Sequence, residues 1–252
     1  MKSDSKSPVV ILVAAQLGEN IGASARAMLN CGLDRLRLVR PRHGWPNPHA
    51  LPSAAGADRV LETIEVFDTT AEAVADVSCL YATTARLRDM IKPVLDPRAA
   101  AFEARGRATA GEQVGWLFGP ERAGLDNADV VAAHRIVHVP LNPEYASLNL
   151  AQAVLLMAYE WRMAEHAEIP KLRGVKEWER AATQAELDNF FNRLETSLDA
   201  GGFFEVPEKR PSLVRNIRNV FTRAQVTNQE VRTLHGIITA LLGKPGRPDK
   251  TT

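Results

Sequence analysis

Only two cysteines, Cys31 and Cys79, occur in 252 residues. That is too few for a disulfide framework or a thiolate zinc site, and each sits in an apolar context that suits a small buried side chain. No apolar run reaches the roughly eighteen residues that a membrane-spanning helix needs. Residues 1–7 are polar and lack the apolar stretch of a signal peptide, so a cytoplasmic protein is expected. No charge of one sign dominates: 31 Lys and Arg stand against 30 Asp and Glu, and a nucleic-acid partner must be judged from where charge clusters. Several standard sites are missing. There is no Gly-x-x-x-x-Gly-Lys-Ser/Thr phosphate loop, and Gly18 to Gly22 lacks the Gly-x-Gly-x-x-Gly spacing, which disfavours a nucleotide-dependent oxidoreductase. No serine or cysteine sits in a Gly-x-Ser-x-Gly elbow. His134 and His138 are four apart on an expected strand with no third ligand nearby, so no metal is expected.

What the chain does contain is an alternation of apolar strands and helices. Residues 8–15, 35–40, 65–68, 77–83, 114–118 and 135–141 read as strands, several without polar alternation, as strands buried on both faces require. Helices are expected over about 23–31, 54–61, 71–75, 96–107 and 127–133. A longer one is expected from Ser147, as N-cap, to about 165, with Leu150, Val154, Met157 and Trp161 on its apolar stripe. This pattern predicts an α/β domain with a mostly parallel, doubly covered sheet over residues 1–166. Residues 167–178 read as a linker. From 179 to 252 the pattern is helical, with capping boxes at Thr183 to Glu186 and Thr227 to Glu230, and the tail after Gly243 reads as disordered. Between Lys209 and Arg223 there is no acidic residue, while Lys209, Arg210, Arg215 and Arg218 recur. Such a run suits either a solvated face or RNA phosphates.

Open α/β sheets bind ligands beyond the carboxyl ends of their strands, and three such loops are rich in small or polar residues. The first is Thr83-Thr84-Ala85-Arg86, the second Gly119-Pro120-Glu121-Arg122-Ala123-Gly124, and the third runs from Val139 through Pro140 and Ala146 to Ser147-Leu148-Asn149. The second reads either as a plain strand-to-helix turn with a solvated Glu or as a ligand loop. Upstream, the stretch from Gln16 to Gly22 reads as a loop with two glycines. Gly22, Arg26 and Asn30 share one helix face, where Arg26 is either a snorkelling surface residue or part of a site.

Taken in order, Asn20-x-Gly22-x-x-x-Arg26, Gly119-Pro120-Glu121-x-x-Gly124 and Ser147-Leu148-Asn149 resemble the three motifs of SpoU/TrmH-type RNA 2′-O-ribose methyltransferases, over about residues 8–165. Asn142-Pro143-Glu144-Tyr145 before Ser147, and the helical extension, look like the TrmJ branch of that family. The resemblance implies a Rossmann-like sheet closed by a carboxyl-terminal trefoil knot, a homodimer, and S-adenosylmethionine-dependent methylation of tRNA at position thirty-two of the anticodon loop. Ribosomal RNA, or another tRNA position, stays open as a target. A non-catalytic RNA-binding factor on the same scaffold is the rival from another class. By the same resemblance Arg26, Asn20, Glu121, Ser147 and Asn149 would be catalytic, with Asn20 and Glu121 fixing Arg26. Thr83, Thr84, Ala85, Gly119, Val139, Pro140, Ala146, Ser147 and Leu148 would hold the cofactor. Arg26, Arg86, Lys209, Arg210, Arg215 and Arg218 would meet RNA.

Overall fold

Val9–Val13 (β1) is buried at all five positions, because it is an interior strand of a sheet covered by helices on both faces. The computed structural model describes residues 7–84, 92–165 and 180–243. After β1 come α1 (Gly18–Asn30), β2 (Leu36–Val39), α2 (Ala50–Ala54), α3 (Asp58–Glu62), β3 (Glu65–Phe67), α4 (Thr70–Ala73) and β4 (Cys79–Thr83). Then follow β5 (Val94–Leu95), α5 (Pro97–Thr109), β6 (Val114–Phe118), α6 (Asn127–Ala132), β7 (Arg135–Val137) and α7 (Leu150–Ala164). The helical remainder is α8 (Gln184–Ala200), a 3-10 turn (Pro207–Lys209), α9 (Arg210–Ala224) and α10 (Asn228–Leu241). The seven strands lie in the order β3-β2-β1-β6-β4-β7-β5, and every pairing is parallel. The expected α/β sheet is therefore observed. All carboxyl ends consequently point to one edge, where the ligand loops emerge.

Several boundaries differ from expectation, each for a local reason. The Gln16 to Gly22 loop is mostly helix, since α1 starts at Gly18. Its glycines are there for packing. A Cβ on Gly22 would lie 1.9 Å from the Ala50 carbonyl oxygen, and one on Gly18 would meet Asn47 Oδ1 at 2.3 Å. The single helix expected over 54–61 is two, parted by Ala55 and Gly56 at φ 44° and 92°. β5 was not expected, because two residues carry too little periodicity to signal a strand. β7 stops at Val137 rather than 141. α7 is capped by Asn149, not Ser147: Asn149 Oδ1 accepts from the Ala151 and Gln152 amides, and Gln152 returns a bond to the Asn149 N–H. Its predicted stripe of Leu150, Val154, Met157 and Trp161 is buried as expected. The expected linker, the tail after Gly243, Ala85 and Arg86 lie outside the described residues.

The helical unit packs on the sheet at the amino ends of β4 and β7. The Gln184 and Ala185 amides donate to the Val77 and Ala75 carbonyls. Gln225, at φ 52° just past α9, accepts from Arg107 Nη2 (2.6 Å) and Arg135 Nη2 (2.8 Å). Both guanidiniums also meet Glu103. Burial works against that carboxylate, but Arg107 and Arg135 hold its pKa below the usual range. His134 is buried beside them, and its Nδ1 accepts the Leu80 N–H, which spends the ring on the sheet. Burial, helped by Lys92, pushes its pKa down to about 3.

Candidate active site

At the carboxyl end of β6 the chain turns back on itself over Gly119 to Leu125. A Cβ on Gly119 would stand 2.2 Å from the Leu125 nitrogen and 2.4 Å from the Gly124 carbonyl carbon, so the return of the loop leaves room only for glycine. The Gly124 N–H closes the turn on the Pro120 carbonyl at 2.8 Å. This close fold aims Glu121 across to the start of α1. Its Oε2 accepts the Gln16 N–H at 2.9 Å, while Oε1 accepts the Leu17 N–H at 3.3 Å and Asn20 Nδ2 at 2.7 Å. A carboxylate is favourable there, since free amides and the helix dipole gather at a helix amino end.

The chain of bonds continues. Asn20 is 7% exposed, and its Oδ1 accepts Asn149 Nδ2 at 3.0 Å. Asn149 in turn caps α7. One polar relay, Glu121 to Asn20 to Asn149, thus ties together the loop after β6, the helix after β1 and the helix after β7. Its side-chain links span 101 and 129 residues of sequence.

The expected assignment of Glu121 and Asn20 as holders of Arg26 is corrected. Their side chains are spent on the relay. Arg26 is exposed and makes no hydrogen bond or ion pair among the described residues. It stands one turn beyond Gly22 on the same face of α1, ready for an anionic partner from outside.

Beside the relay lies a cavity of about 300 Å³, at the small end of the range for ligand pockets. Of the residues expected to hold a cofactor, Thr83, Thr84, Gly119, Val139, Ala146, Ser147 and Leu148 line it. Pro140 is exposed and does not, and Ala85 lies outside the described residues. Phe118, Leu141, Leu150 and Ala153 complete an apolar wall, and Glu121 and Arg122 stand at its polar side. The Thr83 hydroxyl donates to the Leu117 carbonyl, leaving the pocket's polar capacity mainly to backbone groups and the exposed Ser147 and Arg122. An apolar slot with a few such groups fits the nucleoside portion of S-adenosylmethionine. Sequence reasoning missed the apolar wall, which has no motif. It also missed Gln152, although Asn149-x-x-Gln152 is a readable capping box.

The run from Lys209 to Arg223, acid-free in sequence, is partly compensated in the fold. Arg218 reaches Glu195 at 2.7 Å and Asp188 at 3.7 Å, and Arg210 reaches Asp199 at 2.6 Å. The acids come from α8 across the unit. Lys209 and Arg215 form no ion pair among the described residues, and Arg86 lies outside them. Among the described residues, no cluster of three potential ligands gathers for a metal ion, and no helix is long and apolar enough to cross a membrane.

The model of the SpoU rRNA Methylase family matches residues 7–159, a span that includes the whole relay, Arg26 and Ser147. The chain belongs to the SpoU methylase family. A second model, that of the tRNA methyltransferase TrmJ C-terminal domain, matches residues 185–250 and so takes in α9, α10 and nearly all of α8. Among its relatives, the tRNA (cytidine/uridine/adenosine-2′-O-)-methyltransferase TrmJ of Pseudomonas aeruginosa strain UCBPP-PA14 is 37% identical over 237 residues, 91% of each chain. The tRNA (cytidine/uridine-2′-O-)-methyltransferase TrmJ of Escherichia coli K12 is 38% identical, covering 92% of this chain and 94% of its own. The crystal structure of TrmJ from Z. mobilis ZM4 superposes with a TM-score of 0.84 at 49% identity, over 94% of this chain and 100% of that one. The likeness to TrmJ thus covers both the sheet and the helical unit.

Proposed function

We infer that this chain is an S-adenosylmethionine-dependent tRNA 2′-O-methyltransferase, acting on cytidine or uridine at position thirty-two of the anticodon loop. The observation that carries the chemistry is the relay beside the pocket, which consumes Glu121, Asn20 and Asn149 and leaves Arg26 exposed and without a partner among the described residues. Bound S-adenosylmethionine would supply an activated methyl group, so the protein's task is alignment of a ribose 2′-hydroxyl and management of its proton. A guanidinium is effectively always protonated, which disqualifies Arg26 as a base. Its role is to hold a substrate phosphate and stabilise the developing alkoxide. Glu121 already accepts three N–H donors, so it acts as a positioning residue for α1, not as the proton acceptor. The exposed Ser147 hydroxyl, at the pocket rim, is placed to orient the ribose. Lys209 and Arg215 are the remaining candidates for RNA contact on the helical unit. The relatives' names and the TrmJ-like extension support a tRNA substrate, and the resemblance to the TrmJ branch supports the position.

Mapping 2′-O-methyl groups in total tRNA from a deletion strain should show loss at position thirty-two alone. Loss at another tRNA position or in ribosomal RNA would replace the target. An unaltered map, with no S-adenosylmethionine binding by calorimetry, would revive a non-catalytic RNA-binding role.

The trefoil knot belongs to this reading as well, supported by the convergence of the segments after β4, β6 and β7 on one pocket. So does a homodimer. Leu155, Leu156, Tyr159 and Met163 form a stripe on α7 and are 36–51% exposed, opposite the face packed on the sheet. A stripe of this kind suits a second copy. Sedimentation velocity should give about twice the 27.6 kDa chain mass; a monomer at tens of micromolar would remove the dimer.

A further inference from the structure

Between β2 and α2, residues 40–49 form a loop whose composition and placement the relay does not explain. From residue 40 to 57 there is no acidic side chain. Arg40, Arg42, His43 and His49 are all exposed. Neither Arg40 nor Arg42 makes a side-chain hydrogen bond or ion pair among the described residues. The buried Asp129 feels Arg40 only at longer range. His49 lies 3.8 Å from Glu19.

The loop is held firmly despite this exposure. The Arg40 N–H donates to the Phe67 carbonyl (3.1 Å), the Arg42 N–H to Ala15 (3.0 Å) and the Gly44 N–H to Pro41 (3.0 Å). Asn47 Oδ1 accepts the His49 N–H at 3.0 Å. Two residues take left-handed backbone to achieve the path, Arg40 at φ 44° and Gly44 at φ 72°. A non-glycine residue there carries strain, which the surrounding bonds offset.

Position decides what the loop can do. Its Ala15 anchor immediately precedes Gln16 and Leu17, whose amides bind Glu121. Its far end enters α2, which crosses α1 at Gly22, one turn before Arg26. The loop therefore runs from the relay along the side of α1 that carries Arg26. None of its residues lines the cofactor pocket. Guanidiniums that have no side-chain partner among the described residues, on an ordered loop whose nearby carboxylate, Glu19, faces His49 instead, bind phosphates, and a row of them tracks a nucleic-acid backbone.

We propose that the 40–49 loop is a phosphate-binding surface that grips the single-stranded RNA next to the target nucleotide and leads it to Arg26. This rests on the RNA methyltransferase reading above. Arg40 and Arg42 take the phosphates, and His43, which offers an N–H and a ring face in its neutral form, lies beside a base.

The test uses the full-length chain, purified tRNA and a double variant, Arg40→Asn with Arg42→Ala; asparagine tolerates the left-handed backbone at 40. Affinity for tRNA should fall about tenfold at low salt. The slope of log Kd against log salt should flatten by about 1.4, at about 0.7 per lost single-strand contact. S-Adenosylmethionine affinity should not move. The companion Arg40→Lys, Arg42→Lys variant keeps the charges and should keep the slope. An unchanged slope and affinity in the first variant, beside a wild type that methylates tRNA, would overturn the loop's role alone. Equal loss in the lysine variant would overturn it too, since shape and not charge would then matter. A wild type that transfers no methyl to tRNA would overturn the substrate reading and this proposal together.

Discussion

Replacing Arg26 with alanine is expected to lower the rate of methyl transfer at saturating tRNA by about a hundredfold to a thousandfold, the range for removal of one charge-stabilising donor. The fold should hardly notice. Arg26 is exposed, has no partner among the described residues and does not line the cofactor pocket, and surface changes of this kind usually move stability by less than about 0.5 kcal/mol. Affinity for S-adenosylmethionine should therefore match wild type in calorimetry, and the melting temperature should stay in place. Arg26→Lys should recover only part of the rate, because an ammonium keeps the charge but lacks the planar two-pronged donor that matches a phosphate. Loss of cofactor binding in the alanine variant would show that Arg26 belongs to the pocket after all. A rate within a fewfold of wild type would remove it from the chemistry.

The alternation of strands and helices, and the identity of the loops at the strand ends, were legible because burial on both faces writes itself as long apolar runs. β1, β4 and β6 are such runs, and the residues after β6 and β7 line the pocket as the motifs implied. What escaped was non-local. Gly22 reads as a loop glycine in sequence, yet it is helical, and its missing side chain answers to the Ala50 carbonyl of a helix 28 positions later. Glu121 looked like a partner for a cation, because nothing in the sequence tells that the Gln16 and Leu17 amides sit within its reach. Ser147 and Asn149 are both good caps. The bonds that Asn149 accepts from the Ala151 and Gln152 amides, with the return bond from Gln152, decide between them. The basic run from Lys209 to Arg223 was undecidable in the same way: its acids, Asp188, Glu195 and Asp199, stand on the neighbouring helix, 23 residues away for the shortest Arg218 pair. Arg40 and Arg42 were passed over because a loop rich in proline and histidine gives no periodic signal. Their significance appears only once the loop lies against α1.

Gly119→Ala is expected to weaken S-adenosylmethionine binding at least tenfold and to lower the melting temperature, although the change adds a single methyl group. The added carbon would lie 2.2–2.8 Å from backbone atoms of Gly124 and Leu125, and backbone cannot step aside as the end of a flexible side chain can. Overpacking of this kind costs about 1–3 kcal/mol, and here the relief must come from moving the loop. Glu121 sits two residues along, so any shift pulls its carboxylate from the Gln16, Leu17 and Asn20 donors, leaving polar groups short of a partner at about 1–3 kcal/mol each. The same movement reshapes the pocket wall that residues 118–124 provide. Gly124 separates this effect from a general intolerance of the loop. It adopts φ 68°, and a Cβ placed there would have nothing within 4 Å, so Gly124→Asn should bind cofactor almost as wild type, asparagine being tolerated in left-handed backbone. If both variants bind alike, close return of the chain at Gly119 is not what shapes the site. If only Gly119→Ala fails, the glycine serves the loop's own packing, and the ligand benefits through Glu121 and α1 rather than through direct approach to the glycine.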